Sequence, residues 1–535
     1  MEQPKLSLST IIPIGLMLFS FFFGAGNLIF PPVLGQQAGD NLLAATLGFC
    51  FSGVGFPLLG ILAMAINRFD NPDMMAEPVS PMYGRVITIL CALTNGPFFA
   101  IPRTAAVSYD TGIMALLPAG MHDIGLAVYS AFFFALTYYF AINPSAIIDR
   151  IGKVMAPMLL ICLAALVGCA ILNPMGDAQA AQGAYVDVPF FKGFLEGYNT
   201  MDLLCSMLFG AATISAIELT SVKGQKQLTT MCIYAGIIAA ICLAAVYGSL
   251  AYAGATSVSV TGMVASGGQL LNKITVHYFG NFGKIVLALI IFFACITTSI
   301  GLSTAIPDYF SKLTNGKISY ERFVLAICLF SFAVSNVGLS NIITFSIPVL
   351  CMLYPITIAL VILNVGKNIF KRDKYIFRAC LILTTIFAIF DGLRAAGIDT
   401  GAANAFLSSI IPLYDIGFGW ITPCFGGILL GAGGLVRAYT KGAKIAIDAA
   451  GKSMKRVWSV LYMPIPYTFY ERIKLEVAAF GGIIRDTQFG AEVELELLFP
   501  EANAQPFLDK LTDMTSGTVE GMEVGQEYRA FPIDR

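Results

Sequence analysis

The first long apolar run, residues 9 to 34, carries FFFGAGNLIFPP at its centre. Gly24, Gly26, Pro31 and Pro32 lower helix propensity or remove a backbone donor, so they predict an interruption where an ordinary spanning helix would run through. A bilayer core offers no water to free amides and carbonyls. A broken helix survives there only where the freed backbone faces protein or a water-filled site. The run therefore predicts a ligand site at its break.

The rest of the chain has the same solvent in view. Of its 535 residues 57% are apolar and only 12% charged, against about 25% charged in soluble proteins, so the sequence predicts an all-α polytopic membrane protein. At about 20 residues per span, about twelve transmembrane helices are expected before residue 432. They lie near 9–34, 41–66, 85–107, 124–143, 152–172, 198–219, 227–254, 283–305, 321–338, 341–365, 376–394 and 405–431. Alternate loops hold Lys5, Arg68, Arg85, Arg150, Lys153, Lys223, Lys226, Lys312, Lys317, Arg322, Lys367, Lys371, Arg372, Lys374 and Arg378. The others hold only Arg103, Lys192, Lys273, Lys284 and Arg394. Positive residues stay inside, which predicts a cytoplasmic N-terminus and C-terminal tail on a multi-pass protein of the cell membrane, plasma or inner. The start MEQPKLSLST leads directly into a long span, so no removable signal is expected. Two histidines, and twelve cysteines without a CxxC pair, argue against a zinc, haem or disulfide framework.

The sixth span, TMDLLCSMLFGAATISAIE, repeats at Phe209, Gly210 and Ala211 the triplet of Phe23, Gly24 and Ala25, five spans later. Secondary transporters are often built from inverted repeats with the ligand at corresponding broken helices. The triplet therefore predicts a second break near Ser206 to Gly210. In a chain with 52 glycines and 41 phenylalanines, small-residue helix packing explains it equally well.

FFFGAGNLIFPPVLGQQAG, GVGFPLLGILA, NGPFFAIPRTAAVSYD, GYNTMDLLCSMLFGA and FFACITTSIGLSTA occur in that order. Together they resemble the branched-chain amino acid:cation symporter family, of the superfamily sharing the LeuT fold, over residues 8 to 423. The resemblance implies a LeuT-like 5+5 inverted repeat with two extra spans. It implies import of leucine, isoleucine and valine coupled to Na⁺ or H⁺ by alternating access, with no other cofactor and no enzymatic activity. The amides of Gly24, Ala25 and Gly26 would open the second half-helix toward the substrate carboxylate. Carbonyls of Phe22, Phe23 and the segment from Ser206 to Gly210 would take the ammonium, and Met207 and Phe209 would wall the branched side chain. Asn27 either caps the helix break or supports the site from behind.

Ala294, Thr297 and Thr298 stand at i, i+3 and i+4 of the eighth span, on one helical face. Read alone, the threonines favour bonds to their own preceding turn or between helices. The resemblance favours a Na⁺ site completed by the carbonyls of Ser20 and Phe23. Leu204 stands where some relatives place a threonine of a second sodium site, so no second site is expected. Arg103, Asp110, Asp202, Glu218, Asp391 and Asp415 fall near span ends. Arg103 and Asp202 are candidates for an outer gate, although snorkelling to the interface accounts for any one of them. The expected partners are the amino acid, the coupling cation and the lipid bilayer, with no nucleic acid for the membrane body. A function of another class, an amino-acid sensor signalling through its tail, fits the same features.

Composition changes near Gly426. FGGILLGAGGLVRAYTKGAKIAIDAAG and the remainder resemble the C-terminal half of the IMPACT/YigZ-type family from Phe425 to Arg535. This implies a transporter domain over 1–424, a truncated remnant of that family's N-terminal domain over 425–455 and a ferredoxin-like α+β domain over 456–535. Strands are expected near 456–464 and 524–531. The join falls inside the last span, so the chain reads as a chimaera made by a deletion or frame error. GAGG is followed by no GK[ST], which argues against a phosphate loop. Mixed charge in the tail argues against a nucleic-acid face.

Overall fold

The computed structural model describes residues 8–114, 117–143, 148–218, 225–370, 373–398, 400–432 and 453–532. Lys5, Lys223, Lys371, Arg372 and residues 433–452 of the expected remnant lie outside them. The chain divides into two compact units, Met1–Leu435 and Val436–Arg535.

The first unit is helical. It opens with α1 (Leu8–Phe22), α2 (Ala25–Ala38), α3 (Leu42–Cys50), α4 (Phe56–Asn67), α5 (Pro81–Leu93) and α6 (Ala100–Ser108). There follow α7 (His122–Ala141), α8 (Ala156–Leu172), α9 (Pro189–Glu196), α10 (Asp202–Glu218), α11 (Gln225–Thr261) and α12 (Gly267–Leu313). The unit ends with α13 (Tyr320–Ser335), α14 (Leu339–Val365), the short α15 (Lys367–Phe370), α16 (Lys374–Ala395), α17 (Ala402–Ile410) and α18 (Ile421–Ala432).

Every span read from the sequence falls on helix. Among the described residues eight helical stretches are long and apolar enough to cross a membrane, and the pair Pro189–Thr200 and Asp202–Glu218, bent by 49°, makes a ninth. The remaining expected spans are short, divided or merged. The first contributes α1, of 15 residues, while its second half runs on through α4 as one 43-residue stretch. α13 has 16 residues, and the last span is split between α17 and α18.

Glycines set how closely these helices approach. A Cβ on Gly35 of α2 would overlap the Ala251 carbonyl of α11, and one on Gly254 of α11 would overlap the Pro32 carbonyl of α2. The same reciprocity joins α3 to α9, through Gly48 against Phe190 and Gly193 against Ala45. Lipid tails are as apolar as leucine, so close backbone approach and van der Waals packing hold membrane helices together.

The second unit follows the order strand, helix, strand, strand, helix, strand. It contains β1 (Ser453–Ile465), α19 (Tyr470–Ala479), β2 (Ile483–Phe489), β3 (Val493–Pro500), α20 (Glu501–Thr515) and β4 (Met522–Pro532). The antiparallel sheet has the order β2-β3-β1-β4, with Leu461 opposite Leu497 and Met463 opposite Leu495. This is the ferredoxin-like arrangement expected from the sequence. Side chains alternate along a strand, which puts Val493, Leu495, Leu497 and Phe499 on one face. They pack there with Ile473 and Val477 of α19 and Phe507 and Leu511 of α20.

Overpacking at the glycine contacts should be expensive. Gly35→Val is expected to destabilise the membrane unit by about 2–3 kcal/mol, read as a lower melting temperature of the detergent-purified protein; an unchanged value would refute the close approach of α2 and α11.

Candidate functional site

The first span breaks where its glycines predict. α1 ends at Phe22 and α2 starts at Ala25, with Gly24 extended at φ −118° and ψ −155° between them. Asn27 holds the break. Its Oδ1 accepts from the Gly24 amide at 3.2 Å, the capping role read for it, while its Nδ2 donates to Asp202 Oδ2 at 2.6 Å and to the Tyr247 hydroxyl. The Tyr247 hydroxyl in turn donates to Asp202 Oδ2 at 3.3 Å.

The sixth span breaks elsewhere than expected. α10 is continuous from Asp202 to Glu218, so the carbonyls from Ser206 to Gly210 lie inside helix. The break stands at Met201, in left-handed backbone (φ 66°), between a 3₁₀ turn over Gly197–Thr200 and α10. One glycine costs a helix only about 1 kcal/mol, and here its small size serves packing. A Cβ on Gly210 would press on Met64 and Ile61 of α4. Ser206 also faces α4, opposite Gly60, and donates to its own Leu203 carbonyl at 2.7 Å.

A third interruption joins these two. Thr94–Phe98 forms a π turn between α5 and α6, within which Gly96 leaves helical backbone (φ −86°, ψ −120°). The three breaks and α12 surround one cavity lined by Phe21, Phe22, Gly24, Ala25, Asn27, Asn95, Ala100, Arg103, Thr104, Thr200, Met201, Asp202, Cys205, Thr298 and Leu302. Its volume is about 20 Å³, room for one water. Phe21 also borders a second cavity of about 600 Å³ between α1, α10, α12 and residues 70–72. The Phe21 ring stacks on Phe209 at 5.0 Å, and Phe22 meets Phe209 edge-on at 5.4 Å.

Of the expected substrate residues, Phe22, Gly24, Ala25 and Asn27 line the small cavity. Phe209 stands behind its phenylalanines. Ser206, Met207 and Gly210 are absent from the lining, and Phe23 stacks instead on Phe19 at 5.2 Å and Tyr247 at 6.3 Å. Gly26 lies against the Arg103 guanidinium. The sequence reading missed Asn95, Thr104, Thr200, Met201 and Cys205. Gly96 and Pro97 carry the same signal that located the first break, but no glycine or proline marks Met201.

Arg103 and Asp202 both line the cavity and are 3% and 2% exposed, so neither snorkels to an interface. Among the described residues they form no direct ion pair. Arg103 Nη1 donates to the Asn199 carbonyl at 2.9 Å, tying α6 to the 3₁₀ turn before α10. Asp391 is buried beside Arg394 at 3.4 Å, whereas Glu218 and Asp415 are exposed.

The expected cation ligands converge in part. The Ser20 carbonyl accepts from Thr298 Oγ1 at 3.1 Å and Thr297 Oγ1 at 3.3 Å. Thr297 also bonds back to the carbonyls of Phe293 at 2.8 Å and Ala294 at 3.1 Å. Both kinds of bond expected of the threonines read alone are thus present: Thr297 bonds to its own turn, and both hydroxyls bridge α12 to α1. The Ser20 hydroxyl is buried without a partner. Neutral oxygens gathered at one point suit a hard monovalent cation.

Comparison with known proteins agrees with this architecture. Residues 7–433 match the family described as branched-chain amino acid transport protein. The chain belongs to that family. The branched-chain amino acid permease BraB of Bacillus subtilis is 44% identical over 427 residues, 80% of this chain and 96% of the relative. The branched-chain amino acid transport system 2 carrier protein of Pseudomonas aeruginosa is 37% identical over 77% of this chain and 93% of its own length. Among solved structures, the nucleobase-cation-symport-1 family transporter Mhp1 superposes with a TM-score of 0.54 at 14% identity, covering 78% of this chain and 91% of that one. At that identity the likeness is one of fold, and it is the LeuT-like fold of the family member described here. Residues 464–518 match DUF1949, a domain of unknown function, which is the C-terminal domain of IMPACT/YigZ-type proteins.

Loss of the Asn27 side chain removes a cap and leaves the Asp202 carboxylate short of a donor. Asn27→Ala is expected to destabilise the protein by about 2–4 kcal/mol, measured as thermal unfolding in detergent; a melting temperature equal to that of the parent would show that Asn27 does not hold the break.

Proposed function

We propose that the membrane unit is a secondary active symporter that imports leucine, isoleucine and valine, coupled to Na⁺ or H⁺, by alternating access around the cavity between the broken spans. The observation that carries this reading is the convergence of two opposed helix breaks, five spans apart, on that cavity. The N-terminal end of α2 offers amides to a carboxylate, and helix ends favour ligands of opposite charge at bilayer depth. The relatives named above are branched-chain amino acid permeases and carriers, which supports the substrate class.

At about 20 Å³ the cavity is too tight for leucine, so loading requires the Phe21 and Phe209 rings to part toward the larger cavity. The coupling cation binds beside the first break, between Ser20, Phe23, Ala294, Thr297 and Thr298, and stabilises the same local backbone that receives the substrate. Shared stabilisation of one arrangement by two ligands is a coupling free energy. The protein lies in the cell membrane with its N-terminus and tail in the cytoplasm, and the tail is a separate domain that transport does not need.

Reconstituted vesicles test the proposal. Leucine should accumulate only under an inward Na⁺ or proton gradient, imposed separately; binding without accumulation would instead describe a sensor. Thr298→Ala should raise the half-saturating Na⁺ concentration about tenfold with uptake retained at saturation, and unchanged cation affinity would remove the site. A chain ending at residue 432 should transport at the full-length rate; loss of uptake by that chain in folded form would make the tail a working part.

A further inference from the structure

Arg103 and Asp202 present an arrangement that the outer-gate reading does not explain. Both are almost completely buried, both line the cavity at the breaks, and among the described residues neither is the other's ion-pair partner. Removing an isolated charge from water costs several kcal/mol even after relaxation. Ionisable groups at bilayer depth therefore mark a ligand path by default.

The unmet valences are specific. Arg103 spends Nη1 on the Asn199 carbonyl and lays its guanidinium 5.8 Å from the Phe30 ring centroid, but its Nε has no partner. A Cβ on Gly26 would come within 2.8 Å of Arg103 Nη2, so the guanidinium lies against the N-terminal turn of α2. Two positive elements, a cation and a helix start, thus sit together. Asp202 supplies the negative element. Its Oδ2 takes the Asn27 and Tyr247 donors, which fix its position without supplying a counter-charge. Asn95 adds a neutral acceptor in the same wall: its Nδ2 donates to the Cys91 carbonyl at 3.0 Å, and its buried Oδ1 is unpartnered.

We propose that Arg103 receives the substrate carboxylate and Asp202, assisted by Asn95 Oδ1, receives the substrate ammonium, so that a zwitterion completes a pair the protein leaves open. The inference rests on the cavity being the substrate site. It replaces recognition by backbone alone with recognition by two opposite side-chain charges, and it makes these residues selective for α-amino acids over amines or acids bearing the same branched chain.

The test compares leucine with leucinamide, which lacks the carboxylate charge, and 4-methylpentanoate, which lacks the ammonium. Each is assayed both by competition with leucine uptake in vesicles and by ligand-induced thermal stabilisation of the purified full-length protein. The parent should discriminate strongly against both analogues. Arg103→Gln should weaken leucine about ten- to a hundredfold while leaving leucinamide unchanged, which collapses that ratio. Asp202→Asn should do the same for 4-methylpentanoate. Equal weakening of leucine and both analogues would overturn the proposal, because it would make Arg103 only a tie between α6 and Asn199. If Arg103→Gln does not fold, Arg103→Lys keeps the charge and should retain discrimination against leucinamide at reduced leucine affinity; loss of that discrimination overturns the assignment as well. A parent that transports no leucine would defeat the transport reading, whereas the stabilisation ratios judge the charge assignment independently.

Discussion

The carboxamide of Asn27 ties the membrane unit together at its weakest point. It caps the start of α2 through Gly24 and grips Asp202 at the start of α10 and Tyr247 in the middle of α11. An amide can do this because it donates and accepts at once; a carboxylate would lose the two donors and face Asp202 with like charge. The breaks of the first and sixth spans are consequently not independent irregularities. Each start is positioned through the same side chain, so displacement of one half-helix is felt at the other.

Around that hub the cavities are unequal. The space at the breaks holds little more than a water, while the cavity beyond Phe21 is about thirty times larger by the volumes of 20 and 600 Å³. The Phe21 ring lines both cavities and is backed by its stacking on Phe209. Toward α9 the packing is different in kind: Arg103 reaches the Asn199 carbonyl, and Tyr198 stacks on Tyr354 with centroids 4.2 Å apart. One contact is made of rings alone, and the other of a ring pair beside a charged hydrogen bond, so separating the second costs a charge-assisted bond that the first does not have.

Much of this was legible in the sequence, for stated physical reasons. Apolar length located the helices, because a bilayer permits few alternatives to helix. Gly24 located the first break, because backbone without a Cβ is the simplest way to interrupt a span. The resemblance of the C-terminal stretch located the second unit, with strands expected near 456–464 and 524–531 and observed at Ser453–Ile465 and Met522–Pro532. The sixth-span break was not legible in the same way, since Met201 adopts left-handed backbone without glycine, held by the elements around it. The repeated Phe-Gly-Ala triplet pointed two turns too far along, to a glycine that serves contact with α4. The threonine pair was legible as a face turned to Ser20, because positions three and four apart share one side of a helix; both hydroxyls bond to the Ser20 carbonyl. Arg103 and Asp202 were visible as charges near span ends; their shared burial at one cavity depends on tertiary placement that no local pattern encodes.

The reciprocal glycine contacts have a mechanical consequence. α2 is locked to α11 and α3 to α9 by backbone touching backbone, so these pairs have little room to slide and behave as rigid blocks. The extended residue at Gly24 and the left-handed residue at Met201 lie at the edges of those blocks, where chain direction changes by rotation about few dihedrals. α1 and α10 are packed as well, α1 through Gly15 against Ile238 of α11 and α10 through Gly210 against Met64 of α4, so a rotation at either break is resisted by a helix face and passed to the other break through Asn27.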